Sequence, residues 1–191
     1  MASKSGLLLL ASLLFAISAI GAEVAGVKIE DKTRLGNIEL QLNGAGLRKR
    51  AFFQVYVLAL YLAERKADAA SVIQLGGPKR VAITMLRDVG AETFTDALAE
   101  GIRANHSETE AAALEPRVKE LAAMIAAIGE AKKGMAIVLD WTGAATQLVI
   151  DGKPAGRPIP GEDFYRALLR VWLGDKPVQD DLKKALLGGS Q

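Results

Sequence analysis

The chain has 191 residues, half of them hydrophobic and 24% charged, with a net charge of +2. That length supports one domain with a real core, and so small a charge excess leaves no electrostatic footprint for nucleic acid. Cysteine is absent and His106 is the single histidine, so disulfides, thiolate chemistry and a histidine-rich metal site are excluded, and any Ser-His-Asp triad must use His106.

Lys4 is followed by an apolar run over residues 6–20, the pattern of a positive n-region and an h-region of about 7–15 residues. Ala19 and Gly21 place cleavage after Gly21, with Ala22 as the alternative. We expect a signal peptide over residues 1–22, a domain over 23–191, and export to a bacterial periplasm or the medium. The run is short for a span of about 20 residues, so no stable membrane span is expected after cleavage; an uncleaved anchor is the alternative.

Residues 24–29 read as a short edge strand, and 38–42 alternate as a half-buried strand. Asn43, Gly44, Ala45 and Gly46 then predict a bend or bulge. Two glycines without a third and without a following helix do not make a dinucleotide fingerprint, and no cofactor or metal is expected. Residues 51–62 are apolar and aromatic on both alternating faces, which predicts a strand covered on both sides. On parity, Tyr56 and Tyr61 face opposite ways. A short helix over 67–74, a turn at Gly76-Gly77-Pro78 and a strand over 79–88 follow.

Phe94, Ala97, Leu98, Gly101 and Ile102 form one apolar stripe of a helix over 92–103. Ser107 and Glu110 form a capping-box pattern that restarts a helix, and Pro116 sits where a first helical turn can begin. Strands over 135–141 and 147–150 make a hairpin. Residues 153–160 read as a Pro/Gly connection, and helices over 161–173 and 177–187 close the chain. The order of strands, paired helices, hairpin and helices predicts a single α+β domain with a largely antiparallel sheet.

Three stretches together resemble the chalcone isomerase-like family, in its exported bacterial branch: GAGLRKRAFFQVYVLALYL, VAITMLRDVGAETFTDALAEGIRAN and WTGAATQLVIDGKPAGRPIPGEDFYRALLRVWLG. The resemblance implies an open-faced β-sandwich, a large antiparallel sheet with helices layered on one face and a cleft between. It also implies one of two functions. True isomerases cyclise a chalcone by adding a phenolate to an enone; other members bind fatty acids, holding the carboxylate with an arginine and a tyrosine. The family's arginine corresponds to Arg48 and the following polar position to Tyr56. The isomerase tyrosine and asparagine positions fall on Phe94 and Gly101, neither of which offers a side-chain hydrogen bond. Thr93, Thr95 and Asn105 are the only nearby substitutes.

The expectation is therefore a non-enzymatic binder of a fatty acid or similar amphiphilic carboxylate, with ligand-binding residues Arg48, Tyr56, Phe94 and Gly101, no catalytic residue and no metal. The guanidinium fork matches the two carboxylate oxygens. Arg48 and Tyr56 meet only if the chain turns near residues 48–50, since eight residues of straight strand span about 26 Å. Gly101 is expected to make room for an acyl chain. The alternative is an intramolecular lyase or isomerase acting on an enone. A protein partner is left unknown. His106 reads as a helix-end residue, and Arg87, Asp140, Trp141 and Trp172 as solvated or packing residues.

Overall fold

The computed structural model describes residues 22–189, so the expected signal peptide lies, but for Ala22, outside the described residues. The described chain opens with a small hairpin of β1 (Glu23–Val24) and β2 (Val27–Lys28). Then come β3 (Lys32–Leu35), β4 (Ile38–Arg50), β5 (Phe53–Leu62), α1 (Ala69–Gln74) and β6 (Lys79–Met85). Next are β7 (Val89–Gly90), α2 (Ala91–Ala104), α3 (Glu108–Ala126), β8 (Glu130–Ala131), β9 (Ala136–Trp141) and β10 (Ala145–Ile150). The chain ends with β11 (Lys153–Pro160), α4 (Glu162–Leu173) and α5 (Asp180–Leu186).

Seven strands form one antiparallel sheet in the order β11-β10-β9-β6-β5-β4-β3. The α+β expectation holds, with the helices on one face. Leu58, Leu60 and Leu62 of β5 and Val81, Ile83 and Met85 of β6 point inward against Phe94 and Leu98 of α2 and Phe164, Leu168 and Trp172 of α4. The opposite parity builds a second, smaller core from Leu40, Leu42, Leu47, Val57, Ala59 and Tyr61, roofed by Val24, Val27 and Ile29. From Tyr56 to Leu62 the strand is thus buried on both faces, as its two-sided apolar pattern requires.

The sheet is curled toward that smaller core. A flat sheet would hold β3 and β6 about 14 Å apart, yet Arg80 of β6 donates to the Thr33 hydroxyl of β3 at 2.6 Å. The same guanidinium grips Asp140 of β9 through two bonds of 2.7 and 2.8 Å. Asp140 is therefore a buried ion-pair partner rather than a residue without a role.

Several expectations need correction. Of the bend or bulge expected at 43–46 the bulge is what forms, within one continuous strand, with the register slipping between Leu42 and Gly44. Gly44 is there because α5 presses on it: a Cβ would stand 2.1 Å from the Ala185 carbonyl oxygen. The turn comes later, at Ala51-Phe52, so β5 begins at Phe53 rather than residue 51. Residues 153–160 pair with β10 as an edge strand, the one place in a sheet where Pro154, Pro158 and Pro160 are tolerated, because one side of the ladder needs no N–H. Pro116 lies inside α3, which starts eight residues earlier on the predicted Ser107–Glu110 capping box. The last helix starts at Asp180, later than expected, and β3, β7 and β8 were not foreseen.

Candidate ligand-binding site

The β4–β5 hairpin brings Arg48 and Tyr56 together. Arg50 pairs with Phe53 around a two-residue turn, and after a second bulge at Arg48/Lys49 the register sets Arg48 directly opposite Tyr56. The geometric condition for a shared site is met by a turn at 51–52, a little beyond where the basic cluster suggested it. Tyr56 faces the helical layer and is buried. Phe94, in the first turns of α2, meets its ring edge-on at a centroid distance of 6.4 Å. From the last turn of α4, the Trp172 indole N–H donates to the Tyr56 hydroxyl at 2.9 Å.

The electrostatics of this cluster are one-sided. Burial raises the Tyr56 pKa, while Trp172 and the nearby Arg48 guanidinium act to lower it. The phenol thus keeps its proton at neutral pH, and both polar neighbours are donors. Its own O–H points to no acceptor among the described residues. Arg48 is half-buried; its Nη1 donates to the Lys49 carbonyl and, at 3.4 Å, to the Gln179 side-chain oxygen. No carboxylate pairs with it among the described residues. A half-buried guanidinium and a protonated phenol thus stand side by side as hydrogen-bond donors, with no carboxylate of the described residues between them.

Gln179 is a member of the cluster that sequence reasoning missed. Its oxygen accepts from the Lys49 amide at 2.8 Å and its nitrogen donates to the Leu47 carbonyl at 3.1 Å. It completes the free edge of β4 as a short strand would, and thereby holds the backbone on both sides of Arg48. Nothing in its sequence context signals this, since its partners lie more than a hundred residues away. Trp172 was read as packing; it is both packed and a donor.

Gly101 does not join the site. It lies two turns along α2 from Phe94, and a Cβ there would fall 2.7 Å from Val171 Cγ1. The glycine admits α4 rather than an acyl chain. Behind Phe94, the seam between α2, α3 and α4 is lined by Leu98, Ile102, Leu121, Ile125 and Leu168 around a void of about 10 Å³, room for roughly one water. A larger hollow of about 540 Å³ lies elsewhere, bordered by His106, Asn105, Arg170, Lys176 and Lys183. None of Arg48, Tyr56, Phe94 or Gly101 lines it. There His106 Nδ1 contacts the Ile102 carbonyl at 2.7 Å and Nε2 contacts Arg170 at 2.9 Å. A guanidinium only donates, so Nε2 accepts, Nδ1 carries the proton, and the ring caps the end of α2 as expected of it.

The profile of the family described as "Chalcone isomerase-like" matches residues 21–188. The chain belongs to the chalcone isomerase-like family. No curated protein matches its sequence. Among solved structures, a fatty-acid binding protein of Arabidopsis thaliana is similar in fold, with a TM-score of 0.69 at 13% identity, covering 85% of this chain and 92% of that one. At that identity the likeness speaks for the fold.

Within this chalcone isomerase-like scaffold, two of the three substitutes for the isomerase tyrosine and asparagine are engaged, and the third, Thr93, is exposed. The Thr95 hydroxyl donates to the Glu92 carbonyl. The Asn105 amide donates to the carbonyls of Gly101 and Lys176, and its oxygen accepts from the Lys176 N–H. Among the described residues no cluster of acidic, histidine or cysteine side chains is arranged to hold a metal ion, and no helix is long and apolar enough to cross a membrane.

Proposed function

We propose that this protein binds a fatty acid or a similar amphiphilic carboxylate without transforming it, and that Arg48 and Tyr56 hold the headgroup. The observation that carries this reading is the cross-strand pairing of Arg48 with a Tyr56 hydroxyl whose polar neighbours among the described residues are donors. A carboxylate supplies what that pair lacks: one oxygen accepts from the guanidinium and the other from the phenol. Phe94 forms the apolar wall where the acyl chain leaves the headgroup. The chain then enters the seam between α2, α3 and α4, where five aliphatic side chains already surround a small void. The seam must part by side-chain and helix movement, since the void is far smaller than an acyl chain. Burying about ten methylenes contributes roughly 8 kcal/mol gross, enough to offset both the parting and the several kcal/mol of association cost. The reading includes export of the mature domain, on the strength of the Lys4 and 6–20 pattern.

The test is mass analysis of solvent extracts from the purified mature protein, followed by titration of palmitate and its methyl ester into wild type and Arg48→Ala. The acid should lose at least tenfold in affinity on substitution while the ester changes little. Equal loss for both, or a wild type that takes up neither, overturns the reading. The enone-cyclising alternative keeps Arg48 but has Phe94 and Gly101 where its hydrogen-bonding groups are needed.

A further inference from the structure

The β4–β5 hairpin ends in an arrangement that its own folding does not call for. The turn is two residues long, and its first residue, Ala51, has φ +52, a conformation where glycine is favoured. The second, Phe52, is 99% exposed, and Phe53 beside it is 57% exposed. With Ile38 they are the large hydrophobic residues left open to solvent among the described residues. Turn chemistry would place Gly, Asn or Asp at such a tip, and exposed aromatic side chains at a loop end mark an interaction site rather than a packing need.

The charges nearest the tip are basic. Lys49 and Arg50 are exposed on the strand just below it. Arg87, at the end of β6, lies over the Phe53 ring at 4.3 Å. Lys132 and Lys133 are exposed next to Arg87, since the Lys133 amide donates to Asp88 at 2.7 Å. Acidic groups also lie at this end, farther from the tip in the chain: Asp88, Glu130 opposite Gly90, and Asp180 and Asp181 in the first turn of α5. The order along the hairpin axis is therefore aromatic tip first, then a belt of cations.

We infer that this tip docks on an anionic lipid surface, with Phe52 and Phe53 entering the interfacial layer and Lys49, Arg50 and Arg87 meeting lipid phosphates. Aromatic rings favour the boundary between headgroups and acyl chains, and cations one residue behind them sit at headgroup depth. The convex, two-residue tip has no groove to seat a peptide. A second copy of the chain would set like charges against like in a symmetric contact. The same hairpin carries Arg48 and Tyr56, so docking brings the carboxylate pair to the membrane surface. The docking inference stands on the tip alone, whether or not that pair binds a fatty acid.

The experiment is co-sedimentation of the mature protein with phosphatidylcholine vesicles and with vesicles of phosphatidylcholine and phosphatidylglycerol in a two-to-one ratio. Binding is expected to the anionic vesicles, at least tenfold weaker to the neutral ones, and weakened by salt. Phe52→Ser/Phe53→Ser should reduce it at least tenfold with an unchanged circular dichroism spectrum. Lys49→Gln/Arg50→Gln should reduce it by about fivefold per cation removed and flatten the salt dependence. Failure of the wild type to sediment with anionic vesicles, or full retention by the phenylalanine variant, overturns the inference. Palmitate binding by the phenylalanine variant in solution, without vesicles, reads the headgroup site separately. A protein that docks but takes up no palmitate sinks the carboxylate reading alone; one that takes up palmitate but does not dock sinks this inference alone.

Discussion

Trp172 donates its indole N–H to the Tyr56 hydroxyl at 2.9 Å, tying the last turn of α4 to the strand that faces Arg48. The bond orients the phenol and occupies one of its lone pairs, which leaves the O–H free to donate. Tyr56→Phe removes that donor and strands the buried Trp172 N–H, so it should cost about 1–2 kcal/mol of stability and weaken palmitate binding. Urea unfolding reads the first effect and titration the second. An unchanged urea midpoint would mean that the indole finds another acceptor.

Two glycines test close approach of helices to the β4 backbone and to one another. At Gly44 an added methyl meets the Ala185 carbonyl oxygen at 2.1 Å, which is backbone and cannot rotate away. At Gly101 it meets a Val171 methyl at 2.7 Å, which can yield in part. Gly44→Ala should therefore cost about 2–3 kcal/mol by overpacking and Gly101→Ala nearer 1, less the small gain from a stiffer unfolded chain. Thermal melts of the two variants rank them; the reverse order would show that α5 is the more mobile helix.

Arg80 and Asp140 form the central ion pair of the smaller core's side of the sheet, with side chains 20% and 3% exposed. Asp140→Ala leaves the guanidinium without its bidentate partner and should cost about 3 kcal/mol. Replacing both, as Arg80→Met/Asp140→Leu, removes the desolvation cost along with the attraction and should recover most of that loss. Denaturant unfolding of the single and double variants gives the comparison. A double variant no better than Asp140→Ala would show that the Arg80–Thr33 link, which closes the curl, matters more than the pair.

The chain's three tyrosines all titrate above the usual 10, each mainly because burial disfavours phenolate: Tyr61 is pushed to about 12, Tyr56 is raised, and Tyr165 lies well above. Between pH 10 and 12 the unfolded chain loses these protons before the folded one does, so stability falls as pH rises through that window. Lys79 acts in the opposite direction just below it. Its pKa is lowered by burial, so the unfolded chain binds the proton more readily and stability rises toward pH 10.5. Tyrosinate absorbance should stay low past pH 10 and then appear together with unfolding. Tyr61→Phe should move that transition to higher pH. A gradual tyrosinate signal centred on pH 10 in folded protein would contradict the burial of all three.

Much of the fold was legible in local pattern. Alternation identified the inner face of β5, β6 and β9, the Phe94–Leu98–Ile102 stripe marked the buried side of α2, and the Ser107–Glu110 pair marked the start of α3. These are choices made by neighbouring residues, and burial of one face enforces them. The resemblance of three stretches, read with them, named the family and singled out Arg48 and Tyr56.

What the sequence determined by itself was which residues are apolar, at what period, and where glycine is required. Why it is required was decided by tertiary structure. Gly44 and Gly101 serve approaching helices, not a bend or a cavity, because their neighbours lie far along the chain. The two-residue turn at Ala51-Phe52 carries no turn residue, so only pairing of β4 with β5 reveals it, and with it the meeting of Arg48 and Tyr56. Gln179 holds the edge of β4 from a partner segment about 130 residues away, and no local pattern encodes a contact that exists only after the sheet has curled and α5 has docked.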